Sequence, residues 1–138
     1  MHRAHRSLFA YVDARALEVL GVSASQLGGL YYVAAHEGCS PSEVAATLDL
    51  NKSAVSAMVR RMERAGVVRR AAHPSDGRST LLYATPKGHE VRAQSLRWVR
   101  RLTADILDGF DEREVQTIFR FLNSIVDRYG DADGQSEA

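Results

Sequence analysis

Apolar side chains recur at helical spacing between Leu50 and Gly66. Val55, Met58, Val59 and Met62 stand at i, i+3, i+4 and i+7, a stripe that has to pack on a core. The stripe fixes which side stays free. At about 100° per residue the opposite face carries Ser53, Ala57, Arg60 and Arg64, with Ser56 and Arg61 on its flanks and Lys52 at the amino end. Small side chains followed by guanidinium groups let the first turn approach base edges in a major groove while the arginines reach guanines or phosphates. A solvated basic face is the plainer reading of the same pattern. Asn51 is the expected N-cap and Gly66 the expected left-handed stop.

The flanking pattern favours DNA. Residues 7–20 mix apolar positions on several faces, as a helix covered on more than one side would. Ser23 and Gln26 make a capping box for a helix with the stripe Leu27, Leu30, Tyr31, Ala34 that stops at Gly38. Ser40, Pro41 and Glu43 make a second box, followed by Val44, Ala45 and Leu48. A two-turn helix, a tight turn at Asp49 and Leu50, and then the basic helix form a helix-turn-helix pattern.

Beyond Gly66 the period changes to that of strands. VVRRAA and STLLYA flank a polar tip with Pro74, Asp76 and Gly77, which reads as a β-hairpin. Directly after a recognition helix such a hairpin is a wing, with Arg69, Arg70 and Arg78 able to meet backbone or a narrow minor groove. Thr85 and Pro86 restart helix, which continues past Trp98, Val99, Leu102 and Ile106 to about Phe110, over about 30 Å. Asp111 and Glu114 cap a last helix whose Val115, Ile118, Phe119, Leu122, Ile125, Val126 and Tyr129 follow a heptad-like seam up to Gly130. Residues 131–138 are an acidic tail too poor in apolar surface to order itself. The excess apolar surface of the first and last helices predicts a dimer interface; a closed monomeric bundle is the alternative.

With 138 residues, 45% hydrophobic and 25% charged, the composition is that of one globular domain. No apolar run reaches the roughly 18 residues of a membrane span, and charges at Asp13 and Arg15 interrupt any signal-peptide core, so a cytoplasmic location is expected. The overall charge of +1 hides a division along the chain. Residues 1–50 carry three Lys/Arg against five Asp/Glu, residues 51–80 seven against two, and residues 81–138 eight against ten. A +5 block between two −2 flanks is the footprint of a nucleic-acid surface on a neutral body. No Gly-rich phosphate loop follows a strand, no nucleophile has a His partner, and His5, His73 and His89 are dispersed, so no enzyme is expected. No cofactor is expected either. The one cysteine, Cys39, excludes an internal disulfide. It lies near His36 and Glu37 without completing a metal site, and beside a helix amino end where a thiolate would be favoured. It also suits a third, very short strand on the wing.

These residues resemble the MarR family of bacterial transcriptional regulators. Asp76, Arg78, Leu82, Thr85 and Gly88 fit that family's D-x-R-x-x-x-L-x-L-T-x-x-G pattern, with Ala84 where a leucine is usual. The run SAVSAMVRRMERAGVVRR is similar to the family's recognition helix and next strand, with Gly66 and Arg70 at characteristic positions. Ala57 stands where a polar or basic residue is frequent and Arg60 where aspartate is. The resemblance implies a mainly α fold with a small β-hairpin: one domain over residues 1–130, a winged helix-turn-helix lobe at about 23–88, and dimerisation helices at about 5–20 and 86–130. It implies a homodimer on a pseudo-palindromic operator, a repressor released by a small aromatic or anionic effector. The expected DNA-facing residues are Lys52, Ser53, Ser56, Ala57, Arg60, Arg64, Arg70 and Arg78, with the wing tip at Asp76, Gly77 and Arg78. The expected dimer residues are Leu8, Val12, Val115, Ile118, Phe119, Leu122, Ile125 and Val126. His5, Tyr11, Tyr31 and Tyr32 are the candidates for an effector cleft. A redox- or metal-responsive regulator using Cys39 and a dimeric module that binds no DNA are the alternatives.

Overall fold

A computed structural model describes residues 1–130; the tail expected at 131–138 lies outside them. The chain divides into two compact units, one ending at Trp98 and the other beginning at Val99. The first holds α1 (His2–Leu20), α2 (Ala24–Ala35), α3 (Pro41–Thr47), α4 (Lys52–Arg64), β1 (Val68–Ala72), β2 (Thr80–Ala84) and the start of α5 (Pro86–Leu107). The second holds the end of α5 and α6 (Glu112–Tyr129).

Local chemistry sets these boundaries. The Ser23 side chain accepts from Gln26 N while the Gln26 side chain accepts from Ser23 N, and Ser40 with Glu43 and Asp111 with Glu114 repeat the arrangement. Asp13 Oδ1 adds a cap from α1 by accepting from Ala24 N at 3.0 Å. Asn51 Oδ1 accepts from Ala54 N at 2.8 Å, and Gly66, at φ 74, stops the chain just past α4. Three expected ends move. Helix α1 begins at His2 rather than near residue 5; α2 ends at Ala35, before Gly38; and α5 ends at Leu107, because Gly109 at φ 89 turns the chain before Phe110. Between α3 and α4 the turn runs through Asp49 at φ 51, one of the few L residues that tolerate this region, and Leu50 N reaches back to Ala45 O at 2.9 Å.

The core of the first unit gathers Leu30 and Val33 from α2, Val44 from α3, the whole predicted stripe of α4, and Val67, Leu82 and Val91. Burying each large side chain contributes about 1.5–3 kcal/mol, so the stripe alone holds α4 firmly. Gly29 lets α2 approach α4 closely: a Cβ there would stand 3.2 Å from the Cε atoms of both Met58 and Met62.

Strands β1 and β2 pair antiparallel, with Val68 opposite Ala84, Arg70 opposite Leu82 and Ala72 opposite Thr80. Cys39 joins as the short third strand: Leu82 N donates to Cys39 O and Gly38 N to Leu82 O, both at 2.8 Å. The start of α5 is then tied to the end of α4. Thr85 Oγ1 donates to Gly66 O at 2.6 Å and accepts from Gly88 N at 3.0 Å, while Lys87 Nζ donates to Ala65 O at 2.7 Å. Gly88 lies so close that a Cβ there would fall 2.1 Å from Val67 O.

The second unit is different in character. Helix α6 buries no residue, and Phe119, Leu122, Val126 and Tyr129 are 46–65% exposed. Among the described residues no helix is long and apolar enough to cross a membrane.

Candidate nucleic-acid interface

With its apolar stripe buried, α4 turns Lys52, Ser53, Arg60, Arg61 and Arg64 to solvent and leaves Ser56 and Ala57 half-buried. The basic groups therefore extend from the amino end to the last turn on a face that is exposed among the described residues.

A cleft of about 530 Å³ opens where the amino ends of α3 and α4 face the wing, lined by Ser40, Pro41, Ser42, Ala45, Lys52, Val55, Ser56, Arg70, Arg78, Ser79 and Thr80. It brings together four of the expected DNA-facing residues, Lys52, Ser56, Arg70 and Arg78. The other four, Ser53, Ala57, Arg60 and Arg64, lie outside it on α4. The site thus has two parts, an outward helix face and a concave pocket with three cations. Sequence reasoning missed the hydroxyls of Ser42, Ser79 and Thr80. Their signal was position: each neighbours a cap or a wing arginine, and a hydroxyl there can donate to a phosphate oxygen.

The wing tip is built internally. Asp76 accepts from the Ser79 hydroxyl at 2.7 Å and from Arg78 N at 3.0 Å, and Ser79 N returns to Asp76 O at 3.0 Å. The Ser79 hydroxyl first, and the Arg78 amide second, hold the Asp76 carboxyl below its ordinary range. Asp76 is therefore a staple that presents Arg78. Strand alternation sends the two β1 arginines to opposite faces: Arg69 lies 4.4 Å over the ring of Tyr83, its cross-strand partner, while Arg70 lines the cleft.

Cys39 departs from the expectation of a favoured thiolate. It is 4% exposed, and burial first, then the charge of Glu43, pushes its thiol above the ordinary value. Burial outweighs any stabilisation by the helix amino end, and the Glu43 carboxylate in that helix's first turn adds to the rise. Glu37 receives Ala84 N and stands 3.1 Å from His89 Nε2, and no cluster of three metal-ligating side chains occurs among the described residues.

The effector candidates occupy three settings. Tyr31 shares a 2.8 Å hydrogen bond with Ser95 Oγ, and its ring lies 5.3 Å beneath the guanidinium of Arg92, whose Nε is buried and has no hydrogen-bond partner among the described residues. Tyr32 stacks on His36 with ring centroids 4.3 Å apart. His5 stacks on Phe9 along α1, where Tyr11 is also exposed. Of the dimer candidates, Leu8 is 44% exposed and Val12 half-buried on α1; on α6, Val115, Ile118 and Ile125 are half-buried and Phe119, Leu122 and Val126 exposed.

Two packed helices with a tight turn, a basic outward helix and a following hairpin define a winged helix-turn-helix protein. Residues 20–79, spanning α2 through the wing tip, match the MarR family. The chain is 28% identical over 105 residues, 76% of its length, to a protein of Thauera aromatica named for transcriptional regulation of the hcr operon, and it spans 63% of that relative. Its fold superposes on Streptococcus pneumoniae FabT in complex with DNA at a TM-score of 0.73, with 20% identity, covering 95% of this chain and 96% of that one. On Streptomyces coelicolor PcaV the TM-score is 0.76, with 23% identity and 96% of each chain covered. Over residues 20–79 the chain is thus similar to the MarR family of transcriptional regulators, and its fold is that of MarR, on which it superposes with a TM-score of 0.75 at 22% identity, covering 89% of each chain.

Proposed function

We propose that this protein is a DNA-binding transcriptional repressor that acts as a homodimer on an inverted repeat and is released by a small aromatic or anionic effector. The observation that carries the reading is the joint placement of Lys52, Arg70 and Arg78 around one cleft beside the free basic face of α4. A polyanion with regular phosphate spacing satisfies both at once. The sequence-independent part of binding comes from phosphates in the cleft, and base edges meet the outward face of α4. FabT, of the same fold, has been captured on DNA. The exposed apolar seam of α6, and on α1 Leu8 and Val12, supply the second copy's surface, with α1, α5 and α6 as the dimerisation helices. The protein then works in the cytoplasm, where its DNA is.

For the effector, Tyr31, Ser95 and the unpartnered Arg92 Nε offer an aromatic face and a donor for an anion. PcaV, again of the same fold, binds a natural ligand. An effector releases DNA by binding the DNA-free geometry more tightly, and DNA must weaken its binding by the same factor.

Selection from a random duplex pool tests the reading. The expected product is an inverted repeat with half-sites about one helical turn, or 34–36 Å, apart, whose affinity falls steeply with salt. A pool in which no sequence is enriched, or binding without salt dependence, rejects it in favour of an interaction module that binds no DNA.

A further inference from the structure

Glu63 is the only acid between Asp49 and Asp76, and one of two carboxylates inside the +5 block. On a surface read as binding a polyanion, such a charge opposes the ligand unless it serves another end. Its contact indicates that end. Glu63 Oε2 lies 2.9 Å from Arg70 Nε, both side chains being about one third exposed, at 32% and 39%. The ion pair joins the last turn of α4 to the first strand of the wing, and it engages Arg70 through the inner nitrogen of its fork. The terminal nitrogens form no ion pair or hydrogen bond among the described residues, while Arg70 lines the cleft. Neighbouring Arg69 is held on the Tyr83 ring across the hairpin, so Arg70 is the β1 arginine available to DNA.

We propose that Glu63 is a positioning residue for DNA recognition: it pre-orients Arg70 toward the cleft and ties the wing to the recognition helix, so that both meet DNA as one body. An arginine already held at Nε has less rotamer freedom to lose when its outer nitrogens meet a phosphate. The proposal rests on the DNA-binding reading and adds to it a role for an acid that binds no DNA itself.

The test is a double-mutant cycle on the enriched operator, with full-length wild type, Glu63→Ala, Glu63→Gln, Arg70→Ala and the double variant Glu63→Ala/Arg70→Ala. Melting curves for each confirm that all are folded. Arg70→Ala is expected to weaken binding about five- to tenfold and flatten the slope of log K against log salt by about one. Glu63→Ala is expected to weaken it about fivefold, with Glu63→Gln intermediate, because the amide keeps an acceptor without the charge. The double variant should bind no worse than Arg70→Ala, since Glu63 acts only through Arg70. Tighter binding by Glu63→Ala with a steeper salt slope would make Glu63 a brake and overturn the proposal. Losses that multiply in the double variant overturn it too. In both cases wild-type binding stands, whereas a wild type that binds no duplex overturns the DNA reading itself.

Discussion

Arg60 and Arg78 carry the same charge in different surroundings, and the proposed function therefore expects different tasks of them. Arg60 stands on the outward face of α4, away from the cleft, where a bidentate contact to a guanine is worth about 1–3 kcal/mol. Arg60→Ala should therefore relax preference at one position in each half-site and leave affinity for random duplex nearly intact, as competition binding would show. Arg78, presented by the Asp76 staple at the cleft edge, should on removal weaken operator and random DNA alike and reduce the salt slope by about one. Equal losses on both DNAs for Arg60→Ala would make it a phosphate contact. The staple has its own pH window. Because the folded-state pKa of Asp76 is depressed, its anionic contacts are intact above the ordinary carboxylate value of about 3.9 and are lost only as pH falls through the lower folded value. An NMR titration should place the Asp76 midpoint below about 3.9, and Ser79→Ala should move it back up.

At the scale of elements, much was legible because periodicity and capping are local. The stripe of α4, the three capping boxes and the hairpin each depend on residues a few positions apart, and the structure bears them out. What escaped was what distant segments make together. The Glu63–Arg70 pair joins a helix to a strand, the cleft hydroxyls come from α3 and the wing, and the Cys39 thiol is raised by burial that its sequence neighbours do not reveal. Gly88 is a similar case: the family pattern marks it, but only the fold shows its Cα hydrogen facing Val67 O with no space for a methyl group. Gly88→Ala should cost about 1–3 kcal/mol or more in thermal unfolding, since the neighbour is backbone that cannot step aside. Helix α6 permits the opposite test. Leu122 and Val126 are 48% and 65% exposed, so replacing both with glutamate should leave the melting of the first unit unchanged while sedimentation shows monomer in place of the proposed dimer. An undiminished dimer would place the interface elsewhere.

For the molecule as a whole, the proposed function divides the work between the two parts of the candidate DNA surface, which would read, and the seam of α6, which would pair. What joins them is α5, which starts in the lobe and ends beyond Trp98. Its first turn shares hydrogen bonds with the last turn of α4 through Thr85 to Gly66 and Lys87 to Ala65, and Gly88 removes the remaining slack. Mechanically this is a welded elbow, and α4 is its forearm. Thirteen residues make an arm of about 20 Å, so a swing of about 10° at the elbow carries Lys52 and Ser53 sideways by about 3 Å. A hydrogen bond to a base tolerates only a few tenths of an ångström. On the proposed function, a redirection of α5 by a few degrees that carried α4 with it would move the reading end further than base contacts allow, and the control of a gene would become a matter of leverage.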